Sequence, residues 1–299
     1  MPSAFSLPSF AKINLFLRIL GKRDDGFHEL CTVFQTVSLY DTIHFAESET
    51  LELSCDDRNV PTDDRNLIIK AAKALLDVGG VDKGAHIHLE KRIPSPGGLG
   101  GGSSNAAIAL IGLQKLWKID LKVSDLHEIA TKLGSDVPFF LNGGTAIGLG
   151  RGEMIAPLDD VTEDYLLVVT PDVHVSTRDA FERLNAPTLT KEARERILRL
   201  CRLEAEPLDL HHSVLINDFE ASVFDAHPEI RRVKETLLEL GAVNAAMSGS
   251  GASVFAIFDK TETRQAAIKA LDHESTWRKF VVATISRSEY REALHFSQC

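Results

Sequence analysis

Five glycines fall within the six positions 97–102 of the segment Pro94 to Ala107, PSPGGLGGGSSNAA. Glycine at that density lets the backbone adopt left-handed dihedrals, so that several N–H groups can turn inward at one point. Ser103, Ser104 and Asn105 follow as candidate caps of a helix. Its buried body would be Ala106, Ala107, Ile108, Ala109, Leu110, Ile111, Leu113, Leu116 and Trp117. A glycine loop leading into a helix N-terminus favours an anion, because unpaired N–H groups and the helix dipole both attract negative charge. The chemistry this implies is polyphosphate binding. The Walker pattern is excluded, since Gly102 is followed by Ser103 and Ser104 and not by Lys with Ser or Thr. The dinucleotide fingerprint fails where Ser103 stands in place of its last glycine. A flexible linker would have polar flanks, whereas an apolar helix follows here directly.

Three further clusters carry chemistry-bearing side chains. Lys12 and Asn14 are two apart on a strand, which holds such a pair rigidly enough to reach one cleft. The ordinary alternative for such a Lys is an exposed strand face. Asp136, in Gly134-Ser135-Asp136-Val137-Pro138-Phe139-Phe140, stands just past a helix end and before apolar residues. It is either a turn former or a partly buried functional acid. The small-residue run Met247 to Ser253, MSGSGAS, reads by itself as a helix-to-strand connection.

The elements that must position these residues mix strands and helices. Ala11 to Ile19 alternates, with Ala11, Ile13, Leu15, Leu17 and Ile19 on one face and Lys12, Asn14, Phe16 and Arg18 on the other. Strands are predicted at Thr42–Phe45, Thr50–Ser54, Ala85–Glu90, Tyr165–Thr170, Ala252–Phe258 and Phe280–Arg287. Helices are predicted at Asn66–Asp77, closed by Gly79 and Gly80, and from a Ser124 cap to Leu133. Three more are predicted at Lys191–Cys201, Pro228–Leu240 and Glu262–Leu271. This order gives an α+β fold in two domains, residues 1–162 and 163–299.

Composition bounds the function. The 299 residues are 44% hydrophobic and 25% charged, as in a globular protein with a sizeable core. A net charge of −10 with no Lys/Arg-dense stripe argues against a nucleic-acid partner. An anionic ligand would have to be held by local backbone and a few cations. The opening MPSAFSLPSF lacks the charged start and apolar core of a signal peptide, and no apolar run approaches bilayer length. Cys31, Cys55, Cys201 and Cys299 are scattered, with no C-x-x-C. A cytoplasmic protein with reduced thiols and no membrane partner is expected.

In order, Lys12-x-Asn14, Gly26-Phe27-His28, PSPGGLGGGSSNAA, GSDVPFF and SGSGAS resemble the GHMP small-molecule kinases over nearly the whole chain, from Ser9 to Ile285. FAKINLFL combined with DGFHEL and GSDVPFF resembles, more particularly, the branch acting on a cytidine diphosphate-linked polyol. The resemblance implies the two-domain GHMP kinase fold, with the active site in the interdomain cleft. It implies ATP as co-substrate, Mg²⁺ bound with it, and γ-phosphate transfer to the polyol 2-hydroxyl on the methylerythritol phosphate route to isoprenoid precursors. Pro94, Gly97, Gly98, Leu99, Gly100, Gly101, Gly102, Ser103 and Ser104 would wrap the ATP phosphates. Asn66 matches a position lining the adenine pocket, a place that a helix N-terminal role explains equally well. Ser104 is a candidate Mg²⁺ ligand. Asp136 would act as general base on the acceptor hydroxyl, and Lys12 would offset charge on the transferred group. Phosphoryl transfer demands mostly positioning and electrostatics of such residues.

By the same resemblance Asn14, Phe27, His28 and Phe181 would bind the cytidyl substrate. The family has a tyrosine at the place of Phe27, and Phe keeps the stacking face while losing the hydroxyl. Taken singly, Phe27 and Phe181 read as core. Alternative readings are a GHMP kinase for another alcohol, of homoserine or mevalonate type, and a nucleotide-binding regulator that has lost catalysis. Homoserine and mevalonate carry no base to stack on Phe27, and a pure binder needs neither Lys12 nor Asp136.

Overall fold

The alternating N-terminal segment forms a strand, but one far longer than its periodic part. In the computed structural model, which describes residues 4–184, 186–190, 195, 198–199, 203 and 209–294, strand β1 is Ala4–Lys22. It pairs antiparallel with β2 (His28–Ser48), of which the predicted Thr42–Phe45 is only part of the far end. The near half of β2, residues 29–37, is buried on both faces, so its sequence ELCTVFQTV carries no apolar–polar alternation to mark a strand. The other edge of β2 carries β4 (Gly84–Glu90) along Thr42–Ser48 and β5 (Thr145–Gly150) along Leu30–Gln35. Strand β3 (Leu51–Cys55) runs parallel to β4, and β6 (Met154–Pro157) antiparallel to β5.

Register shifts interrupt β1, one of them between Asn14 and Phe16. An extra residue at a bulge reverses which face the following side chains take. The predicted single face is therefore split. Ala11, Ile13, Leu15 and Phe16 enter one core, while Leu17 and Ile19 turn to another. The face predicted to be polar is buried as well, with Lys12 3% and Asn14 2% exposed.

Helices α1 (Leu67–Gly79), α2 (Gly101–Trp117) and α3 (Val123–Leu133) cover one side of this sheet. Ala71, Leu75, Ala109, Leu113 and Trp117 pack there against Phe45, Ile87 and Leu89. The predicted caps of α2 are corrected. Its N-cap is Gly100, with φ of 70°, and Ser103, Ser104 and Asn105 lie inside the helix. Ser124 likewise is within α3, whose N-cap is Lys122, and its hydroxyl turns to Asp125.

The second sheet has the order β11-β7-β10-β9, all antiparallel, from β7 (Leu166–Pro171), β9 (Asn244–Met247), β10 (Val254–Ile257) and β11 (Trp277–Val282). Alternation along β7 and β10 divides their side chains between two cores. Leu166, Val168, Phe255 and Ile257 meet Ala11, Ile13, Leu15 and Val33 of the first sheet. Leu167, Val169, Val254 and Ala256 meet helix α6 (Pro228–Glu239) through Ile230, Val233 and Leu237. Helices α4 (Thr177–Arg183), α5 (Glu220–Ala226) and α7 (Thr261–Ala270) complete that layer.

The run MSGSGAS joins β9 to β10, so it is a hairpin connection and not the predicted helix-to-strand one. The last predicted strand stops at Val282, and Arg287 opens helix α8 (Arg287–Ala293) behind a Ser286 capping box. The predicted helix Lys191–Cys201 lies largely outside the described residues. The later half of the chain returns to the first sheet at several points, including bridges from Thr188 to Lys22 and from Thr284 to Val37. Strand β8 (Ile216–Asn217) pairs parallel with β1, and Tyr290 packs beside Phe10.

The connection before β8 is tied by His211, whose Nε2 lies 2.8 Å from the buried Glu163 carboxylate and whose Nδ1 lies 3.5 Å from Asp259. The Glu163 hydrogen bond outweighs burial and lifts the His211 imidazole above its ordinary 6.5. A folded pKa above the unfolded one stabilises fully below 6.5, and the stabilisation is lost as pH rises through the folded value. The Tm difference between wild type and His211→Gln is therefore expected to be largest below pH 6.5 and to shrink over the pH range above it. A difference constant across that range would show that the pair carries no linkage.

Candidate active site

Strand β1 delivers Lys12 and Asn14 to a cleft between the two sheets, on the face opposite Ala11, Ile13 and Leu15. Lys12 Nζ donates to Asn14 Oδ1 at 2.6 Å and to the Gly98 carbonyl at 3.0 Å, and lies 3.5 Å from Asp136 Oδ2. Its three N–H bonds are thereby directed at three oxygens. Burial pushes the Lys12 ammonium below its usual pKa, with Asp136 acting in the opposite direction. Asn14 in turn donates from Nδ2 to Thr32 Oγ1 at 2.8 Å, so its amide is oriented from behind. Asp136 is the N-cap of a 3-10 turn, Val137–Leu141, whose Val137, Pro138, Phe139 and Phe140 are buried. That apolar anchor leaves the carboxylate, 32% exposed, at the cleft surface.

The glycine loop forms the floor. Gly98 and Gly100 take φ of 72° and 70°, values that favour glycine. The first intrahelical bond of α2 runs from Ser104 N to Gly100 O, so the amides of Gly101, Gly102 and Ser103 precede it. The hairpin connection of the second sheet closes the other side, with Ser248 Oγ donating to Gly98 O at 2.9 Å and Ser253 N to Gly97 O at 3.2 Å. Buried Asn217 holds that connection by donating to the Met247 and Gly249 carbonyls.

A cavity of about 400 Å³ is lined by Lys12, Asn14, Asp136, the loop from Pro94 to Ser103, and Gly249–Gly251. It adjoins a second cavity of about 810 Å³ lined by Phe27, His28, Arg151 and Phe181. Leu30, Ser135, Arg151, Thr177 and Phe181 line both. His28 stacks on Phe181 with ring centroids 4.8 Å apart and planes 19° apart, and Phe27 is 52% exposed. Burial, and then the neighbouring Lys22, hold the His28 imidazole below its usual pKa.

Two residues from the sequence reading sit elsewhere. Asn66 does not line either cavity. Its Oδ1 caps α1 at Ile68 N and its Nδ2 donates to Pro61 O, while the next residue, Leu67, reaches the cleft. Ser104 is fully buried, its hydroxyl accepting from Ser9 Oγ at 2.8 Å, and Ser103 is the serine at the cleft. Sequence reasoning missed Arg151, whose guanidinium lies 4.7 Å from the Phe27 ring centre and which belongs to both cavities. The one hint was a lone cation between Gly150 and Gly152.

A glycine loop and a buried Lys paired with a partly exposed Asp, meeting at a cleft between two sheets, define a small-molecule phosphotransferase. Residues 66–144 match the GHMP kinases N terminal domain, and residues 191–275 match the GHMP kinases C terminal domain. The chain is 42% identical over 277 residues to the 4-diphosphocytidyl-2-C-methyl-D-erythritol kinase of Chlorobium phaeobacteroides, covering 90% of this chain and 92% of that protein. It is 39% identical over 277 residues to the enzyme of that name from Syntrophus aciditrophicus, covering 92% and 97%. A crystal structure of 4-(cytidine 5'-diphospho)-2C-methyl-D-erythritol kinase superposes with a TM-score of 0.75 at 32% identity, covering 94% of this chain and 99% of the other. A homoserine kinase from Cytophaga hutchinsonii, at 21% identity and a TM-score of 0.70 over 96% of both chains, shares the fold. The chain belongs to the GHMP kinases, in the family of 4-diphosphocytidyl-2-C-methyl-D-erythritol kinases. Among the described residues, no helix is long and apolar enough to cross a membrane.

Proposed function

We propose that this kinase transfers the γ-phosphate of ATP to the 2-hydroxyl of 4-diphosphocytidyl-2-C-methyl-D-erythritol, giving the 2-phosphate and ADP, on the methylerythritol phosphate route. The observation that carries this reading is buried Lys12 paired with Asp136 beside the phosphate loop, in a cleft that opens onto an aromatic pocket. ATP would lay its phosphates along Gly97–Ser103, against the free amides of α2. The acceptor hydroxyl attacks the γ-phosphorus, its proton passes to Asp136, and the bond from that phosphorus to the ADP oxygen breaks. Lys12, fixed by Asn14 and the Gly98 carbonyl, offsets the charge on the transferring group.

Mg²⁺ fits this site only as a nucleotide-borne ion. No cluster of three acid, His or Cys side chains among the described residues could hold a metal by itself, and Mg²⁺ is commonly held by one or two carboxylates together with substrate phosphates. Ser103 and Asp136 would be the nearby oxygen donors, and the ion would neutralise phosphate charge.

The cytidine base would enter the larger cavity, where Phe27, His28 and Phe181 supply ring faces. Arg151 stands between that pocket and Asp136, where the linking diphosphate of the acceptor would run. The test is ADP release with ATP and Mg²⁺, offering the cytidyl alcohol, homoserine and mevalonate separately. Turnover with the cytidyl alcohol alone is expected. In the same assay Phe27→Ala should raise KM for the cytidyl alcohol about tenfold, the loss of one stacking contact, and leave KM for ATP unchanged. Equal losses for both substrates would make Phe27 a structural residue, and turnover only with another alcohol would overturn the substrate assignment.

A further inference from the structure

Behind the phosphate loop lies a buried polar cluster that lines neither cavity. At its centre is Asp41, on β2 and 0% exposed. Its Oδ1 accepts from the backbone amides of Arg92 and Ile93 at 2.7 and 2.8 Å. Its Oδ2 accepts from Lys91 Nζ at 2.7 Å and Asn105 Nδ2 at 2.9 Å. Lys91 is buried too and also donates to the Ile93 carbonyl at 2.6 Å. Asn105 Nδ2 reaches Ser9 Oγ at 2.9 Å, and Ser9 donates to Ser104.

The placement of these four donors is what matters. Lys91 to Ile93 lead into the glycine loop, and Asn105 lies in the first turns of the helix that leaves it. One carboxylate therefore grips both ends of the loop. Five glycines in six positions give that loop the largest backbone freedom in the chain, and freedom of that kind must otherwise be surrendered when phosphates bind. A buried carboxylate is also a poor adornment. It is tolerated in an interior only when its lone pairs are satisfied, as they are here. Neutralising Lys91 does not account for the arrangement, since three of the four bonds come from two amides and an uncharged side chain.

We propose that Asp41 is the positioning residue of the phosphate loop, holding its ends at a fixed separation so that its N–H groups are preorganised for nucleotide phosphates. This rests on the reading of the loop as the ATP site. Asp41 acts through Arg92, Ile93 and Asn105 and touches no substrate.

Two variants test it, with affinity for a non-hydrolysable ATP analogue as the main readout. Asn105→Ala cuts the tie to the helix and leaves the Asp41–Lys91 pair in place. The double variant Asp41→Ala with Lys91→Met removes the grip without leaving an unpaired buried ammonium. Both are expected to weaken the analogue about tenfold or more, with KM for the cytidyl alcohol within about twofold of wild type, because misplaced binding groups act on the ligand they contact. A lowered Tm with analogue affinity unchanged in both folded variants would overturn the proposal and make the cluster structural only. The readout is nucleotide binding, so it reports on Asp41 even if the cytidyl alcohol proved not to be a substrate.

Discussion

Asp136→Asn should lower kcat by about 10³- to 10⁴-fold, near the upper range for loss of a general base. The substitution keeps the shape of the side chain, and the apolar Val137–Phe140 anchor that holds the residue in place is untouched. Affinities for ATP and for the cytidyl alcohol should therefore stay within about threefold of wild type, the pattern of an interaction made only in the transition state. Single-turnover quench measurements with separate binding titrations would separate the two effects. Near-normal turnover would mean that the Lys12 charge and loop geometry alone drive transfer, with the proton leaving to solvent. Lys12 keeps two neutral oxygen partners when the carboxylate is gone but loses the charge that opposes the effect of burial on its ammonium, so kcat is followed against pH to separate the two losses.

Gly98→Ala is the second large effect. Gly98 has φ of +72°, which strains any L side chain, and an added Cβ would fall on the Ser248 carbonyl oxygen, a backbone atom that cannot swing aside. Gly98 also supplies the carbonyl that receives Lys12 and the Ser248 hydroxyl. The variant should lower kcat/KM for ATP by on the order of 100-fold or more, as the loop and the hairpin connection are forced apart. Gly102→Ala is the comparison within the same loop. Its Cβ would meet nothing nearer than Leu67 Cδ1 at 3.9 Å, so its Tm should match or exceed wild type. Wild-type ATP kinetics in Gly98→Ala would show that the two loops need not touch for function.

The largest discrepancies between sequence and structure have one physical origin. The N-terminal strand, the glycine loop and Asp136 were legible because each has a local cause, such as alternation, glycine density, or an acid set before an apolar turn. What was not legible depended on partners distant in sequence. The bulge in β1 exists only against β2, and it takes Leu17 and Ile19 out of the core shared by Ala11, Ile13 and Leu15 and onto the face of Lys12 and Asn14, so that Leu17 lines the cleft with them. The near half of β2, residues 29–37, escaped notice because both its faces are buried. Ser104 read as a ligand and proved to be an interior hydroxyl bonded to Ser9, a residue 95 positions away.

By itself, the sequence determined the α+β class, a glycine loop at a helix N-terminus, and a set of residue types suited to phosphoryl transfer. Those properties follow from local backbone preference and side-chain chemistry, which travel with the residues. The tertiary structure alone decided which of them share a site. It buried Lys12 against Asp136, brought Ser248 onto Gly98, set Arg151 between two cavities, and put Asp41 behind both ends of the loop. Each of these contacts joins segments tens to hundreds of residues apart. Only the packing of two sheets, with the loop closures it imposes, can bring them together.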